Sequence, residues 1–386
     1  METSSFQLKS ASYIYIDSSQ LLERICVDLK KNSYLILDTE FKREKTYYPE
    51  LGLIQIASLE KVFIIDPLSQ KIDFSPLYDL LVSPRVLKVV HAGYEDVEIF
   101  FHKMGQVLCP LFDTQIAAQF CGFENSISYH KLAQELCGVD LDKSQQRTDW
   151  IKRPLTESQL HYAALDVIYL KEIYNILVKK LQEKGRLSWV LNEMECFFTP
   201  QSFQKTPADL WKRFKNLKKS PSVLYTLQEL LMWREKRAQN NNLPRLWLLS
   251  DADLIQIAEK HPKDVSQITS IKPLGRYFKT QDAENLLKCL NALIYSDQSK
   301  ELPQHHFYGY SQNEKELLKE LKHLLLQEAE RHNMCASLIA TQRDLEQFVR
   351  DETENTKILT SWRYGVFGKA ASDLKEAFKK KSPHSQ

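Results

Sequence analysis

The order of apolar and polar residues divides the chain near residue 205. Before that point, short apolar runs typical of strands alternate with amphipathic stretches typical of helices. This alternation predicts an α/β domain over residues 1–205. After Lys205-Thr206-Pro207, apolar residues recur only at helical spacing. The spacing predicts two all-helical domains, at residues 206–300 and 301–386.

Local signals place the strands and helices of the first domain. Strands are predicted at 34–41, 53–58 and 62–66, close enough to pair as a meander, and later at 88–91 and 107–113. Helices are predicted to begin near Tyr94, Thr114 and Ser128. Thr156 and Gln159 have the spacing of a capping box, which predicts a helix that runs through Tyr162, Asp166 and Tyr169.

The two predicted helical domains weakly resemble each other in sequence. Helices are predicted at 210–216, 223–239, 251–261 and 283–294, and in the last domain at 314–332 and 341–351. Each domain has a long amphipathic helix, a loop and a short helix with an Asp-Leu pair, DADLIQIA in one and QRDLEQFV in the other. The final residues, KKKSPHSQ, are expected to be disordered.

Composition narrows the class of protein. The chain is 43% hydrophobic and 26% charged, as is ordinary for a globular protein, and its longest apolar runs fall far short of the roughly 20 residues that cross a bilayer. The N-terminus has no basic segment followed by an apolar one, so no secretory signal is expected. The seven cysteines form no C-x-x-C pair, which favours reduced thiols and a cytoplasmic location.

Candidate chemistry lies in four carboxylates and a tyrosine of the first domain. Asp38 and Glu40 are two apart on a predicted strand, so their side chains leave the same face. Like charges that close resist ionising without a cation between them. The alternative is a solvated pair at a strand end, but the apolar LIL before Asp38 favours a central strand.

The other members of the set are ambiguous when taken singly. Asp96 lies in the first turn of a predicted helix, where it could simply compensate the helix dipole together with Glu95. Tyr162 and Asp166 share a helix face, as hydrogen-bonded surface pairs also do. Read as one site, the five residues could hold two divalent cations and orient a water to cut phosphodiester bonds. Oxygen ligands suit Mg²⁺ or Mn²⁺ better than zinc.

The distribution of charge is consistent with nucleic acid as the partner. Residues 211–280 hold 14 Lys and Arg against 6 Asp and Glu, a net +8, so the whole chain's +2 leaves −6 for the remainder. An acidic part beside a basic part fits a metal-dependent nuclease joined to a module that holds RNA or DNA.

Three short motifs resemble those of the DEDD exonucleases, and of ribonuclease D in particular. They are DTEFKRE, HAGYEDVEIF and YAALD, the last within TDWIKRPLTESQLHYAALDVIYL. Residues 227–262 resemble the HRDC helical domain found in ribonuclease D and RecQ helicases, and residues 324–368 resemble a more divergent copy. The resemblance implies an α/β ribonuclease H-like exonuclease domain followed by two all-α HRDC-type domains.

The same resemblance implies a role for each residue of the set. Asp38, Glu40 and Asp166 would bind one metal, and Asp38 would bridge to a second metal that Asp96 supports. Tyr162 would orient the attacking water. The implied activity is that of a 3′→5′ exoribonuclease that uses two divalent metal ions, Mg²⁺ or Mn²⁺, and releases nucleoside 5′-monophosphates. The implied partners are RNA molecules, namely tRNA precursors, and the chain is expected to act as a monomer.

The helix motif satisfies two patterns at once, Tyr-x3-Asp and His-x4-Asp, because His161 directly precedes Tyr162. On a continuous helix, a residue five positions before Asp166 points about 140° away from it. The prediction is therefore that Tyr162 assists the reaction and that His161 is a solvated bystander.

Further residues are weaker candidates for substrate contact. Arg43 and Tyr47 lie in a basic and aromatic loop just after the first two carboxylates, suited to a phosphate and a stacked base. Gln55 and His91 could touch the terminal nucleotides. The alternatives are an ordinary hairpin loop and a structural histidine at a strand end.

Two other functions stay open at this point. A DNA exonuclease would use the same carboxylates, since no residue can be assigned to reading the 2′-hydroxyl of RNA. A non-catalytic RNA-binding protein is the second alternative, although it predicts a broken carboxylate set and all four positions are filled. A helicase is excluded, because no G-x-x-x-x-G-K-[ST] loop is present.

Overall fold

A computed structural model describes residues 12–70, 72–214, 217–271, 275–294, 310–350 and 356–381. The chain divides into two compact units. Unit 1 contains residues 1–40, 52–199 and 308–386, and unit 2 contains residues 41–51 and 200–307. Within the described ranges, no helix combines the length and the hydropathy needed to cross a membrane. All seven cysteines are free thiols.

The described part of unit 1 is built around a six-stranded mixed sheet. Its strands are β1 (Ile14–Ile16), β2 (Tyr34–Lys42), β3 (Glu50–Ala57), β4 (Val62–Ile65), β5 (Leu87–Val90) and β6 (Leu111–Asp113). Their order is β1-β4-β3-β2-β5-β6, with β3 and β4 antiparallel and β5 parallel to both β2 and β6. The predicted meander is confirmed. The edge strand β1 was not predicted, because its three residues carry no clear alternation.

In the described part of unit 1, seven helices lie before residue 200, among the strands of this sheet and after them. They are α1 (Ser19–Leu29), α2 (Ser75–Leu81), α3 (Tyr94–Met104), α4 (Thr114–Phe120), α5 (Tyr129–Cys137), α6 (Glu157–Glu183) and α7 (Leu187–Phe197). The capping box of Thr156 and Gln159 is present at the start of α6, as predicted. Buried apolar side chains from both layers, such as Ile36, Val89 and Phe100, form the core and hold the central strands rigid.

Unit 2 is helical. Its helices are α8 (Pro207–Trp211), α9 (Pro221–Asn241), α10 (Arg245–Leu248), α11 (Asp251–Lys260), α12 (Val265–Thr269) and α13 (Thr280–Ile294), with 3₁₀ turns at Pro200–Phe203 and Lys212–Phe214. Leu227 and Leu254 pack in its core. Arg234 is buried there, with its guanidinium donating to the main-chain oxygen of Leu249 and to Asp251 at 2.8 and 2.7 Å.

The remaining helices belong to unit 1, whereas the sequence predicts a separate domain at 301–386. They are α14 (Gln312–His332), α15 (Ala336–Ile339), α16 (Gln342–Val349), α17 (Ser361–Arg363) and α18 (Lys369–Lys381), with a 3₁₀ turn at Lys357–Leu359 and a π turn at Tyr364–Gly368. We refer to residues 310–381 as the C-terminal helices. Residues 382–386 of the predicted disordered tail lie outside the described residues.

The C-terminal helices repeat the order of elements found in unit 2. In each set a 21-residue helix ends at a left-handed asparagine, Asn242 or Asn333. A four-residue helix follows, and then a helix opened by a capping box, Ser250 with Asp253 or Thr341 with Asp344. The internal likeness seen in the sequence thus extends to helix lengths and caps.

Candidate metal centre

Strand β2 and helix α6 bring three carboxylates together. Asp38 and Glu40 leave the same face of β2, and Asp166 projects from α6. One carboxylate oxygen from each lies within 4.8 Å of the others. The apolar residues before Asp38 are buried in the central sheet, which fixes the strand beneath the cluster. The sequence-predicted pairing of these three residues is present in the structure.

The electrostatics of this cluster favour a bound cation. Burial, and then the neighbouring charges of Asp96 and Asp166, raise the pKa of Asp38 well above its usual range. Burial and Asp38 raise the pKa of Glu40 to about 10, and burial raises the pKa of Asp166 to about 8. The three groups therefore resist being ionised together at neutral pH. Convergent carboxylate oxygens are the ligands that hard divalent cations prefer, so these residues fit a metal ion.

Asp96 lies slightly apart from the three convergent carboxylates. It is buried in the first turn of α3, where its carboxylate accepts a hydrogen bond from the Thr39 hydroxyl. Burial raises the pKa of Asp96 to about 7, although the Thr39 hydrogen bond opposes the shift. Its charge in turn raises the pKa of Asp38. Asp96 thus lies outside the three convergent oxygens, while its charge acts on Asp38.

The turn that leads into Asp96 depends on Asp113, a residue that the sequence did not single out. The Asp113 carboxylate accepts from the amides of Ala92 and Gly93 at 3.1 and 2.9 Å, and also caps α4. A Cβ on Gly93 would lie 2.4 Å from Cγ2 of Val90, so this close approach requires glycine. Asp113 therefore holds the main chain that positions Asp96.

Tyr162 is placed as the sequence predicts. Its hydroxyl hydrogen-bonds to the Asp166 carboxylate one turn along α6. Burial and the charge of Asp166 raise the pKa of Tyr162 above its usual value, so the phenol stays neutral and remains a hydrogen-bond donor. His161 is exposed, and its role as a bystander stays a prediction.

Tyr129 is a member of the site that the sequence analysis missed. Its hydroxyl donates to the main-chain oxygen of Asp166, and its ring centroid lies 5.6 Å from that of His91. Tyr129 therefore fixes α6 at the residue that supplies a carboxylate. In the sequence it is an ordinary aromatic at the start of a helix, and nothing there marks this role.

A cavity of about 300 Å³ opens over the cluster. Its walls include Asp38, Glu40, Tyr162 and Asp166, with Thr39, His91, Tyr129, His130, Lys143 and Gln146 among the others. His91 accepts or donates at 3.0 Å to the Thr114 hydroxyl, and burial lowers its pKa to about 4, so it is neutral at physiological pH. The volume is at the lower end for small-ligand pockets, which suits a single nucleotide.

The other predicted contact residues are not part of this cavity. Arg43 is exposed in the hairpin between β2 and β3. Tyr47 is buried within unit 2, where its hydroxyl bonds to Glu235 and Gln239 and its ring lies 5.1 Å from the Arg245 guanidinium. These contacts engage the ring that was expected to stack on a base, and that expected role stays a prediction.

Gln55 is fully buried on β3. Neither its amide oxygen nor its amide nitrogen has a hydrogen-bond partner in the described part of the chain. It does not line the cavity over the carboxylates. The expected contact of Gln55 with a terminal nucleotide stays a prediction.

Comparisons with known proteins match both halves of the chain. A family described as 3′-5′ exonuclease matches residues 13–182, and one described as HRDC domain matches residues 224–290. Ribonuclease D of Bartonella henselae is 36% identical over 92% of this chain and 87% of its own length. Ribonuclease D of Granulibacter bethesdensis is 35% identical over 93% of this chain and 92% of its own length.

Solved structures agree with these relatives. The crystal structure of Escherichia coli RNase D, described as an exoribonuclease involved in structured RNA processing, superposes with a TM-score of 0.83 at 31% identity. The match covers 95% of this chain and 99% of that one. From the shared length, the matched families and the convergent carboxylates, this chain belongs to the ribonuclease D family of 3′→5′ exoribonucleases.

Proposed function

We propose that this protein trims the 3′ ends of tRNA precursors and releases nucleoside 5′-monophosphates. Asp38, Glu40 and Asp166 would hold one divalent cation, and Asp38 with Asp96 would hold a second, Mg²⁺ or Mn²⁺ in each case. The observation that carries the proposal is the convergence of three carboxylates, two half-buried and one buried, within 4.8 Å at the wall of a cavity the size of a nucleotide. The protein acts as a monomer in the cytoplasm.

Each group in the site has its own role in hydrolysis. The cations, when bound, supply Lewis-acid stabilisation of the charge that develops on the phosphoryl and leaving 3′-oxygens. Tyr162, a neutral phenol hydrogen-bonded to Asp166, orients the attacking water. Lys143 is exposed and adds a positive charge to a wall that carboxylates dominate, where it suits a phosphate.

Unit 2 binds the RNA substrate. The basic residues of 211–280 fall in this unit, and positive charge is what tracks a phosphate backbone. The C-terminal helices are a second, divergent HRDC-type set, because they repeat the helix lengths, the left-handed asparagine and the capping box of unit 2. By this proposal the chain is a nuclease with two HRDC-type sets of helices, one in unit 2 and one formed by the C-terminal helices.

The test is trimming of a 5′-labelled tRNA precursor beside a DNA strand of matched sequence, each with Mg²⁺, with Mn²⁺ and with EDTA. We expect metal-dependent shortening of the RNA from its 3′ end, nucleoside 5′-monophosphate as the product, and much slower shortening of the DNA. Equal rates on both strands would identify a general 3′→5′ exonuclease. RNA that is bound but never shortened would leave only a binding protein.

Replacing Tyr162 by phenylalanine should show which of the two helix patterns, Tyr-x3-Asp or His-x4-Asp, supplies the residue that assists the reaction. Tyr162→Phe removes the hydroxyl that orients the water and keeps the ring, so kcat should fall roughly 10²-fold. His161→Ala is the matched control on the neighbouring, exposed position, and its kcat should stay within about two-fold of the parent, since surface substitutions usually change little. The opposite result, with activity lost only in His161→Ala, would assign the reaction to the histidine.

A further inference from the structure

An ion pair joins the C-terminal helices to the nuclease part of unit 1. The Arg363 guanidinium donates to both carboxylate oxygens of Glu193, at 2.7 and 2.9 Å. It also donates to the main-chain oxygens of Ile339 and Leu338, at 3.1 and 3.0 Å. Both side chains are buried. Because removing one partner would leave the other charge buried without compensation, this pair resists separation.

Aromatic contacts surround the ion pair. The rings of Trp189 and Trp362 stack at 5.3 Å with an interplanar angle of 10°, and the Arg363 guanidinium lies 4.4 Å from the Trp362 ring. Phe120 meets the same ring edge-on at 5.1 Å. The C-terminal helices carry about as many acidic as basic residues, unlike the basic stretch of unit 2. The residues around Trp362 and Arg363 therefore serve to pack the C-terminal helices against α7.

The contacts continue from α7 towards the metal centre. Glu193 is followed by Met194, a buried residue whose sulfur accepts the Asp113 amide at 3.4 Å. The Asp113 carboxylate in turn holds the amides of Ala92 and Gly93, which begin the turn that carries Asp96. A continuous series of contacts thus leads from the C-terminal helices to the main chain beside a predicted metal ligand.

We infer that Arg363 is a positioning residue for the nuclease centre. By holding Glu193, it fixes α7 against β6, and through Met194 and Asp113 it fixes the turn at residues 91–96. This role goes beyond the trimming reaction, but it rests on the proposed part of Asp96 in the metal centre. It also gives the C-terminal helices a task that needs no contact with RNA.

The test uses the full chain with Arg363→Lys, Glu193→Gln and the double substitution. Lysine keeps the charge but cannot make the two parallel hydrogen bonds, and glutamine keeps the shape of glutamate without its charge. The matched control is Lys357→Ala, which removes an exposed positive charge from the same set of helices. Amide hydrogen exchange of residues 91–96 is measured in metal-free protein, together with Mn²⁺ affinity by calorimetry.

We expect amide exchange at residues 91–96 to rise about 3- to 10-fold in each single variant, with exchange in β3 and β4 unchanged. Mn²⁺ affinity should fall by a similar factor, while KM for RNA stays the same. The double variant should be no worse than the poorer single one, because both substitutions break one pair. Lys357→Ala should match the parent.

Several outcomes would overturn the inference. Faster exchange confined to α7, with residues 91–96 unchanged, would make the pair a local support for that helix. Equal loss of protection throughout the sheet would make it a general stability element. The exchange measurement needs neither metal nor RNA, so it decides this inference even if the protein failed to trim RNA.

Discussion

Asp38→Asn should reduce RNA trimming by on the order of 10³-fold and should also raise the melting temperature of the metal-free protein. The loss of activity follows because cations held by this carboxylate supply several kcal/mol of transition-state stabilisation. The gain in stability follows because desolvation first, and then the charges of Asp96 and Asp166, raise the pKa of Asp38, so ionising this carboxylate costs free energy in the folded state. Asparagine does not have to ionise, so this cost disappears, and about 1 kcal/mol of relief corresponds to roughly 1 to 2 °C for a chain of this length.

Steady-state trimming assays and thermal unfolding in EDTA measure these two effects. The matched control is Glu60→Gln, which neutralises an exposed carboxylate beyond the end of β3. Its activity and melting temperature should stay close to those of the parent. An Asp38→Asn protein that is both inactive and less stable would show that Asp38 has a structural role, and would count against a cation-binding cluster.

Metal-free protein should lose stability as the pH rises from about 5 to about 8, and divalent cations should restore it. Unfolded carboxylates titrate near pH 4. In the folded chain the pKa of Asp96 is raised to about 7, that of Asp166 to about 8 and that of Glu40 to about 10. Within this window the folded state binds more protons than the unfolded state, so the free energy of unfolding falls with rising pH.

Cations compete with those protons for the same oxygens. Mg²⁺ or Mn²⁺ should therefore raise the melting temperature more at about pH 8 than at about pH 5, by several degrees. Thermal unfolding with EDTA and with metal, across that pH range, measures the difference. The profile of Asp38→Asn should be flatter than that of the parent. Equal stabilisation by metal at both ends of the range would argue against binding at these carboxylates.

The sequence predicted the parts of the site that local rules control. Asp38 and Glu40 had to share a face because strand side chains alternate, and Tyr162 had to face Asp166 because helix positions four apart do. The structure has both arrangements. The meander and the capping box at Thr156 follow from equally local patterns.

The parts that the sequence could not predict depend on contacts between distant segments. Asp113 looks like the end of a strand, yet its carboxylate holds amides about 20 residues earlier in the chain. Tyr129 meets the main chain of Asp166, 37 residues away. Tyr47 suggested base stacking, but its partners lie 188 or more residues away in unit 2. No spacing rule connects such pairs.

The hairpin between β2 and β3 determines how the chain can be divided into fragments. Because residues 41–51 belong to unit 2, the boundary between the units crosses the chain at 40–41 and 51–52 as well as at 199–200 and 307–308. A cut at residue 200 would leave Tyr47 in the nuclease fragment without Glu235 and Arg245, and would expose a phenol that is otherwise buried. A fragment meant to keep the contacts of unit 2 would therefore have to include the hairpin as well as the helical region.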